Sequence, residues 1–513
     1  MDGGKGEGMA DETGANGATP GGAALPPMRF GWLDEELPAG PWPGALRGSL
    51  CDAMKNLGWA AVHAGEFAPL ERLYRDFAAI FPRLLVDRDD VDRAADLYTL
   101  LHIMLWRRTQ ILSELTVFNA DVVRPFVDYL ARHFPRKAPP ASDRRVPRIA
   151  YLSETSDLFG ANAVARITVS LMLGQHELRA ETDRPILYCI NRPAPELWAF
   201  AEAFGLHIRD MARETPSRTA EAIVAQLAAD EINVLIADSN CAVATMVLQR
   251  RPVPVQAFHE NGFAAWAIPE LDLAFMGITR PSPELFAPGV EMVRTPRNTA
   301  FVFQRIERPE ASIAAVRGVL CAESGVATPS VVYGVYGRMA KITADYMAQV
   351  EAILLRDPRA IFFAGGTGRI SPIMDRKRAS PAGDRMVIYN DFIDGHVIGE
   401  CIDVFLDSFP FPGGMSCIEV QARGVPVVWM APPPGSEQMI IGDQRDPKLK
   451  AHDADHYVEL ALQAADPAAW AAFGETAIGI ARRFGDMREQ AELVEAHLAA
   501  AWARARRDGR MAA

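Results

Sequence analysis

The fold is decided by residues 403–430, which read DVFLDSFPFPGGMSCIEVQARGVPVVWM. An apolar strand at 404–406 leads into a loop rich in Pro and Gly. A short helix follows at 415–423 and is stopped by Gly424, and a second apolar strand occupies 427–430. This order predicts a βαβ unit of a parallel sheet.

The turn from strand to helix in this unit has the residue types of a nucleotide-binding loop. Gly413 and Gly414 let a ligand approach the backbone, and the helix start offers unpaired N–H groups to an anion. Ser416 adds a hydroxyl in the first helical turn, and Glu419 lies one turn further on, where it can accept hydrogen bonds from ligand hydroxyls. The alternative is an ordinary crossover whose glycines only form the turn.

Composition limits the class of protein. The 513 residues are too many for one core and predict two or three domains, and the net charge of −12 argues against a nucleic-acid partner. Six scattered cysteines without a CxxC or Cys/His cluster fit a reducing compartment rather than disulfides or zinc. We find no apolar run long enough to span a bilayer and no signal pattern, so we expect a cytoplasmic protein without an integral membrane segment.

The chain before residue 146 predicts a tail and a helical domain. Residues 1–27 are rich in Gly and Ala and are expected to be disordered. From residue 46 to residue 133, apolar side chains recur at helical spacing, which predicts an all-helical domain at 28–136. A linker with Pro139-Pro140 and mixed charge follows it.

After the linker, short apolar runs alternate with amphipathic helices in two series. The expected strands are 148–152, 186–190, 207–209, 234–237 and 253–258, then 331–336, 361–364, 386–389, 404–406 and 427–430. This α/β pattern predicts two Rossmann-like domains facing a cleft, at 146–310 and 311–513, joined around residues 281–310. Helices close the chain, and the last is a candidate to pack back across the cleft.

Two cations and a histidine are placed to serve the same cleft. Arg338 and Lys341 follow the first strand of the second domain, where they suit a diphosphate: arginine through its fork of donors, lysine as a point charge. His396 lies between a strand and a short helix at the same sheet edge. The alternatives are solvated surface cations and a structural histidine.

At this point the sequence resembles a known enzyme group. The motifs are 338–342 (RMAKI), 395–397 (GHV), 406–408 (LDS), 413–416 (GGMS) and 424–428 (GVPVV), with 251–257 (RPVPVQA) in the first domain. Their order and spacing resemble the GT-B glycosyltransferases of the O-GlcNAc transferase type. That group includes bacterial cytosolic enzymes that place glucose on asparagine.

The resemblance covers about residues 148–430 and implies roles for individual residues. In such enzymes the lysine matching Lys341 contacts the UDP diphosphate. The histidine matching His396 and the acid matching Glu419 help to hold the uridine. Two departures stand out: Gly414-Met415-Ser416 replaces a His-Thr-Thr sequence, and the first-domain loop at 157–162 lacks the family's histidine.

The acceptor side therefore has only local candidates. His259 follows the strand at 253–258, and an imidazole there has a suitable pKa for proton transfer near neutrality; its alternative role is to cap the turn. Asp157 is the second candidate, although an Asp near a helix start is usually a cap. The Asp-x-Asp pairs at 87–89 and 453–455 lie in charged stretches that flank helices, so we expect no metal.

We expect an inverting, metal-independent glycosyltransferase that moves a hexose or N-acetylhexosamine from a UDP-sugar to a protein side chain, Asn or Ser/Thr. The UDP-sugar is the donor substrate, and no cofactor is expected. One alternative is transfer to a lipid-linked or surface glycan. Another is a non-catalytic scaffold that keeps a nucleotide-binding fold, and an epimerase with the same two-domain shape would release free sugar.

Overall fold

Two parallel sheets and a helical region form the architecture. A computed structural model of the chain describes residues 42–64, 67–108, 111–137, 139, 142–154, 164–260, 266–277, 282–295, 309–436 and 444–509. Pro43–Ala513 form one compact unit. The tail at 1–27, predicted to be disordered, lies outside the described residues.

The first sheet is built from short strands, of which all but the two edge strands β3 and β7 are apolar and buried. They are β1 (Ile149–Ser153), β2 (Ile186–Cys189), β3 (His207–Asp210), β4 (Val234–Ala237), β5 (Val255–His259), β6 (Leu273–Met276) and β7 (Glu291–Arg294). Their order in the described chain is β3-β2-β1-β4-β5-β6-β7, all parallel. The order reverses between β1 and β4, which creates a topological switch point at the carboxyl ends of these strands.

The second sheet repeats this topology. Its strands are β8 (Val332–Tyr336), β9 (Ile361–Gly365), β10 (Met386–Tyr389), β11 (Val404–Leu406), β12 (Val427–Met430) and β13 (Lys450–Ala451). They lie in the order β10-β9-β8-β11-β12-β13, again all parallel. The switch point is between β8 and β11. The α/β class and both series of predicted strands are confirmed, but β6, β7 and β13 were not predicted.

Helices cover the sheets and form the region before them. In the described residues they are α1 (Gly44–Ala64), α2 (Phe67–Leu84), α3 (Val91–Arg108), α4 (Leu112–Phe118), α5 (Arg124–His133), α6 (Val164–Leu178), α7 (Pro195–Phe204), α8 (Pro216–Ala229), α9 (Ala242–Gln249), α10 (Glu310–Ser324), α11 (Ala344–Arg356), α12 (Ser371–Ala379), α13 (Gly395–Cys401), α14 (Met415–Gln421), α15 (Ala454–Ala465), α16 (Pro467–Phe484) and α17 (Met487–Arg507).

The predicted helical region is confirmed by α1–α5, and it packs on the first sheet's helices. α3 contacts α8 and α9. Asp92 on α3 accepts a hydrogen bond from the backbone N–H of Ser217 at 2.7 Å, which satisfies a donor in the first turn of α8. The helical region is thereby fixed to the first sheet by a polar contact as well as by packing.

The last helix returns to the first sheet. α17 packs along α6, and its apolar face shares a buried cluster with strands β1, β4 and β5. The α17 side chains in that cluster are Ala491, Val494, Leu498, Ala501, Trp502 and Ala505. The predicted boundary at residue 310 groups this helix with the second sheet, whereas its core contacts are with the first. The domain bounds themselves stay a prediction.

Candidate functional site

The switch point of the second sheet brings together the segments that carry the predicted donor residues. β8 ends at Tyr336 and β11 ends at Leu406, and each strand leads directly into one of these segments. Lys341 ends a short 3₁₀ turn and donates from Nζ to the carbonyl oxygen of Pro412 at 2.7 Å. The predicted diphosphate lysine therefore lies against the loop that enters α14.

A buried ion pair holds that loop. Asp407 accepts the backbone N–H of Gly413 at 2.6 Å through Oδ1, and it accepts Nε of Arg445 at 2.7 Å through Oδ2. Arg445 also donates to the carbonyl oxygen of Gly413 at 2.7 Å, so both backbone groups of this glycine are paired. A Cβ on Gly413 would lie 2.8 Å from Asp407 Oδ1, which explains the glycine by close packing.

Neither member of this pair was among the predicted site residues. Asp407 could have been found, because it directly follows a strand at the switch point. Arg445 gives no such signal, since it comes 38 residues later in the chain and belongs to no motif. Both side chains are only 1% exposed.

Glu419 is buried on α14, and its carboxylate is engaged from two sides. Oε1 forms an ion pair with Nη1 of Arg166 on α6 at 2.7 Å, and Oε2 accepts the hydroxyl of Tyr336 at 3.3 Å. α6 covers the first sheet, so this ion pair joins the two sheets' helices. A ribose at Glu419 would have to share the carboxylate with Arg166 or displace it.

His396 lies in the first turn of α13, and its ring is held by an arginine. Asp394 caps the helix by accepting the His396 backbone N–H at 2.9 Å. Nδ1 of the ring is 2.8 Å from Nη2 of Arg423. Burial lowers the pKa of His396 to about 4, and the positive charges of Arg423 and Arg166 act in the same direction. The negative charge of Glu419 opposes this shift.

The other residues predicted to bind the donor substrate lie at the same carboxyl edge of the second sheet, each with different neighbours. Gly414 is the N-cap of α14, and Ser416 is half-buried in its first turn. Arg338 stacks on the ring of Trp106 in α3, with its guanidinium carbon 4.4 Å from the ring centroid. Arg338 thus links the second sheet to the helical region, and its contact with a diphosphate stays a prediction.

At the carboxyl edge of the first sheet, one strand beyond the switch point, His259 is the last residue of β5 and is buried. Its Nδ1 has no hydrogen-bond partner among the described residues. Burial lowers the pKa of His259 to about 4, so the ring is neutral at pH 7 and is a weak base. Its role as the catalytic base stays a prediction.

Two acids that follow strands at the same edge of the first sheet were not predicted. Ala237 pairs with Phe258, so Asp238 and His259 are the next residues along the neighbouring strands β4 and β5. Asp238 accepts the hydroxyl of Thr168 at 2.6 Å, and burial raises its pKa to about 7. Glu154 accepts the hydroxyl of Ser239 at 2.8 Å, and burial raises its pKa as well. Their position after β1 and β4 is a signal that the switch-point rule could have revealed.

Asp157, the second predicted catalytic residue, lies outside the described residues, as does the loop at 157–162. The Asp-x-Asp pairs have structural contacts: Asp87 pairs with Arg47, and Asp453 caps α15. In the described chain, no group of three His, Cys, Asp or Glu side chains is arranged to hold a metal ion. None of the described helices combines the length and apolar character needed to cross a membrane.

Comparison with known proteins gives matches in structure. No protein-family profile matches the chain, and no curated protein matches it by sequence. An O-GlcNAc transferase mutant of Thermobaculum terrenum superposes with a TM-score of 0.57 at 19% identity, covering 90% of this chain and 92% of the other.

Two further solved structures match about 70% of the chain. HepE of Anabaena, solved with UDP and glucose, has a TM-score of 0.50 at 12% identity over 69% of this chain and 100% of its own. A glycosyltransferase of Rickettsia africae has a TM-score of 0.50 at 12% identity over 70% of this chain and 98% of its own. With its two doubly wound sheets and the helical region before them, the chain has the GT-B fold of glycosyltransferases.

Proposed function

We propose that this protein is a glycosyltransferase that moves a hexose or N-acetylhexosamine from a UDP-sugar to an Asn or Ser/Thr side chain of a protein. Transfer inverts the anomeric carbon and needs no metal ion. The observation that carries the proposal is the position of Lys341 at the switch point of the second sheet, against the loop that enters α14. That is where open α/β sheets bind their ligands.

In the proposed reaction the acceptor atom attacks the anomeric carbon, the bond from that carbon to the UDP oxygen breaks, and the acceptor proton passes to a base. Lys341 stabilises the negative charge that develops on the leaving diphosphate. Gly413, Gly414 and Ser416 line the approach to the phosphates, and Arg338 is the second candidate cation. His396 and Glu419 are assigned to the nucleoside.

The likeness to glycosyltransferases in fold, one of them solved with UDP and glucose, supports this proposal. The protein acceptor rests on the sequence resemblance alone. A non-catalytic scaffold is the second candidate, because Glu419 and His396 are already engaged by Arg166 and Arg423. Transfer to a lipid-linked or surface glycan differs from the first proposal only in the acceptor.

Nucleotide titration tests the donor class. In calorimetry without divalent metal, we expect UDP to bind at least about tenfold more tightly than GDP, dTDP or ADP, a difference of about 1.4 kcal/mol. The protein is then incubated with UDP-glucose or UDP-GlcNAc, with and without Asn-containing or Ser/Thr-containing peptides. The products are identified by mass spectrometry. Absence of binding to all four nucleotides favours the scaffold, and free sugar as the only product favours hydrolysis or an epimerase.

Substitution of His259 tests the base. His259→Ala is expected to slow turnover by about two orders of magnitude with unchanged UDP affinity, because general-base catalysis contributes about 10²–10⁴ to rate. Asp238→Asn is the matched variant, since Asp238 directly follows β4, the strand next to that of His259, and burial raises its pKa to about 7. Full activity of His259→Ala together with loss in Asp238→Asn would assign the proton to the carboxylate.

A further inference from the structure

We propose that Arg423 is a positioning residue that holds His396 in its neutral, Nε2-protonated form and so makes the ring a hydrogen-bond donor toward the nucleotide part of the substrate. The inference rests on the proposed function for the identity of the ligand. The form of the ring itself is derived from the contacts of Arg423.

The direction of one hydrogen bond fixes the ring's proton. Nη2 of Arg423 lies 2.8 Å from Nδ1 of His396. A guanidinium group has only donors, so Nδ1 must accept this bond and cannot carry a proton. The single proton of the neutral ring is therefore on Nε2, and that nitrogen can only donate. Among the described residues, no partner for Nε2 is found.

Arg423 is itself immobilised. Its side chain is 3% exposed, its Nε lies 3.0 Å from a carboxylate oxygen of Glu400, and its Nη1 donates to the backbone carbonyl of Glu419. A Cβ on Gly399 would lie 3.2 Å from Cδ of Arg423, so the glycine on α13 leaves room for the arginine. One guanidinium thus joins α13, which carries His396, to α14, which carries Glu419.

The charges around the ring oppose a second proton. Arg423 and Arg166 act against protonation, whereas Glu419 and Asp394 favour it, and the Tyr336 hydroxyl binds Glu419. α10 also packs against α13, and its Arg317 pairs with Asp403 at 2.7 Å. With burial as the largest influence, His396 has a pKa of about 4, so the ring stays neutral throughout the range from pH 5.5 to 8.

The test is the pH dependence of UDP-glucose binding between pH 5.5 and 8, measured by calorimetry. This ligand is suitable because, unlike UDP, it has no terminal phosphate that titrates near pH 6. For the unmodified protein we expect constant affinity. For Arg423→Met we expect up to about tenfold weaker binding at pH 8, because the ring loses both its fixed orientation and its fixed tautomer.

The variant should regain affinity as the pH falls. Without the arginine, one of the positive charges that lower the pKa of His396 is removed, so the pKa rises although burial, the largest cause of its lowering, remains. The protonated ring donates from both nitrogens. Arg423→Lys, which keeps a donor, should retain most of the affinity at pH 8. In a His396→Gln background, Arg423→Met should introduce no pH dependence.

Arg179→Met is the control for general destabilisation. Arg179 is 5% exposed and pairs with Glu495 at 2.6 Å on the first sheet's side, so its loss breaks a comparably buried ion pair away from His396. We expect it to leave the pH profile flat. Unchanged UDP-glucose affinity in Arg423→Met at pH 8, or a loss of the same size when the substitution is made in the His396→Gln background, would overturn the proposal and reduce Arg423 to a structural residue.

Nitrogen-15 NMR of the histidine rings reports the tautomer of His396 without any ligand. It therefore tests this inference independently of the proposed function. In the ligand-free protein at pH 6, the signal that disappears in His396→Gln should be that of a neutral ring with its proton on Nε2. A signal of the opposite tautomer or of a charged ring would refute the role of Arg423 even if UDP-glucose binds. If UDP-glucose does not bind the unmodified protein, the function fails, and the ring signal still decides the tautomer.

Discussion

Lys341→Ala is expected to abolish sugar transfer while the protein stays folded. The ammonium lies at the second sheet's switch point, 2.7 Å from the carbonyl oxygen of Pro412. Within the proposed function it compensates charge on the diphosphate in both the bound substrate and the transition state. Removal of one such charged donor is expected to cost about tenfold to a hundredfold in UDP affinity and at least about two orders of magnitude in turnover.

The measurements are UDP titration by calorimetry and turnover of the UDP-sugar identified as donor. Lys448→Ala is the control, because Lys448 is an exposed lysine near the second sheet that the predicted site does not include. It should retain both affinity and turnover. Unchanged UDP affinity in Lys341→Ala would remove the lysine from the donor site, and the diphosphate would have to be held elsewhere.

The largest effect on stability is expected from Arg445→Met. This substitution leaves Asp407 as an unpaired charge in a position that is 1% exposed, and it frees the carbonyl of Gly413. Breaking a buried ion pair from one side costs about 3–5 kcal/mol. Because the same pair fixes both backbone groups of Gly413, we also expect UDP affinity to fall.

Arg317→Met is the matched control for this variant. Arg317 pairs with Asp403 at 2.7 Å beside the same sheet but is 42% exposed, and such pairs contribute about 1 kcal/mol or less. The readout is the midpoint temperature of thermal unfolding. UDP affinity is titrated at a temperature below that midpoint, where both variants are folded. Equal midpoints for the two variants would mean that the Asp407–Arg445 pair contributes no more than a surface pair.

Strands that form compact apolar runs between turn signals were mostly predictable, even the half-exposed edge strand β10, but β6 was missed although it is buried throughout. β4, β10, β11 and β12 have the predicted bounds because each is a compact apolar run between turn signals. β7 reads Glu-Met-Val-Arg and is only partly buried, so its sequence does not distinguish it from a connection. β13 has two residues, too few for any periodicity.

Site residues that belong to a local sequence motif were predictable, whereas their contacts with distant parts of the chain were not. Lys341, His396 and Glu419 were identified because each belongs to a local motif at the end of a strand or the start of a helix. Their partners were not, since a side-chain contact between distant elements leaves no trace in spacing. Arg166 and Glu419 are 253 residues apart in sequence and 2.7 Å apart in space.

The return of α17 to the first sheet has a consequence for how the chain is made. The first sheet's strands are complete by Arg294, but the apolar face of α6 awaits Leu498 and Trp502, which are synthesised only after the whole second sheet. Nascent chains generally fold from the N-terminus as they emerge from the ribosome. Here the earlier sheet must persist with an uncovered apolar face until α17 has been synthesised, and a fragment that stops near residue 310 is expected to keep that face exposed and to aggregate.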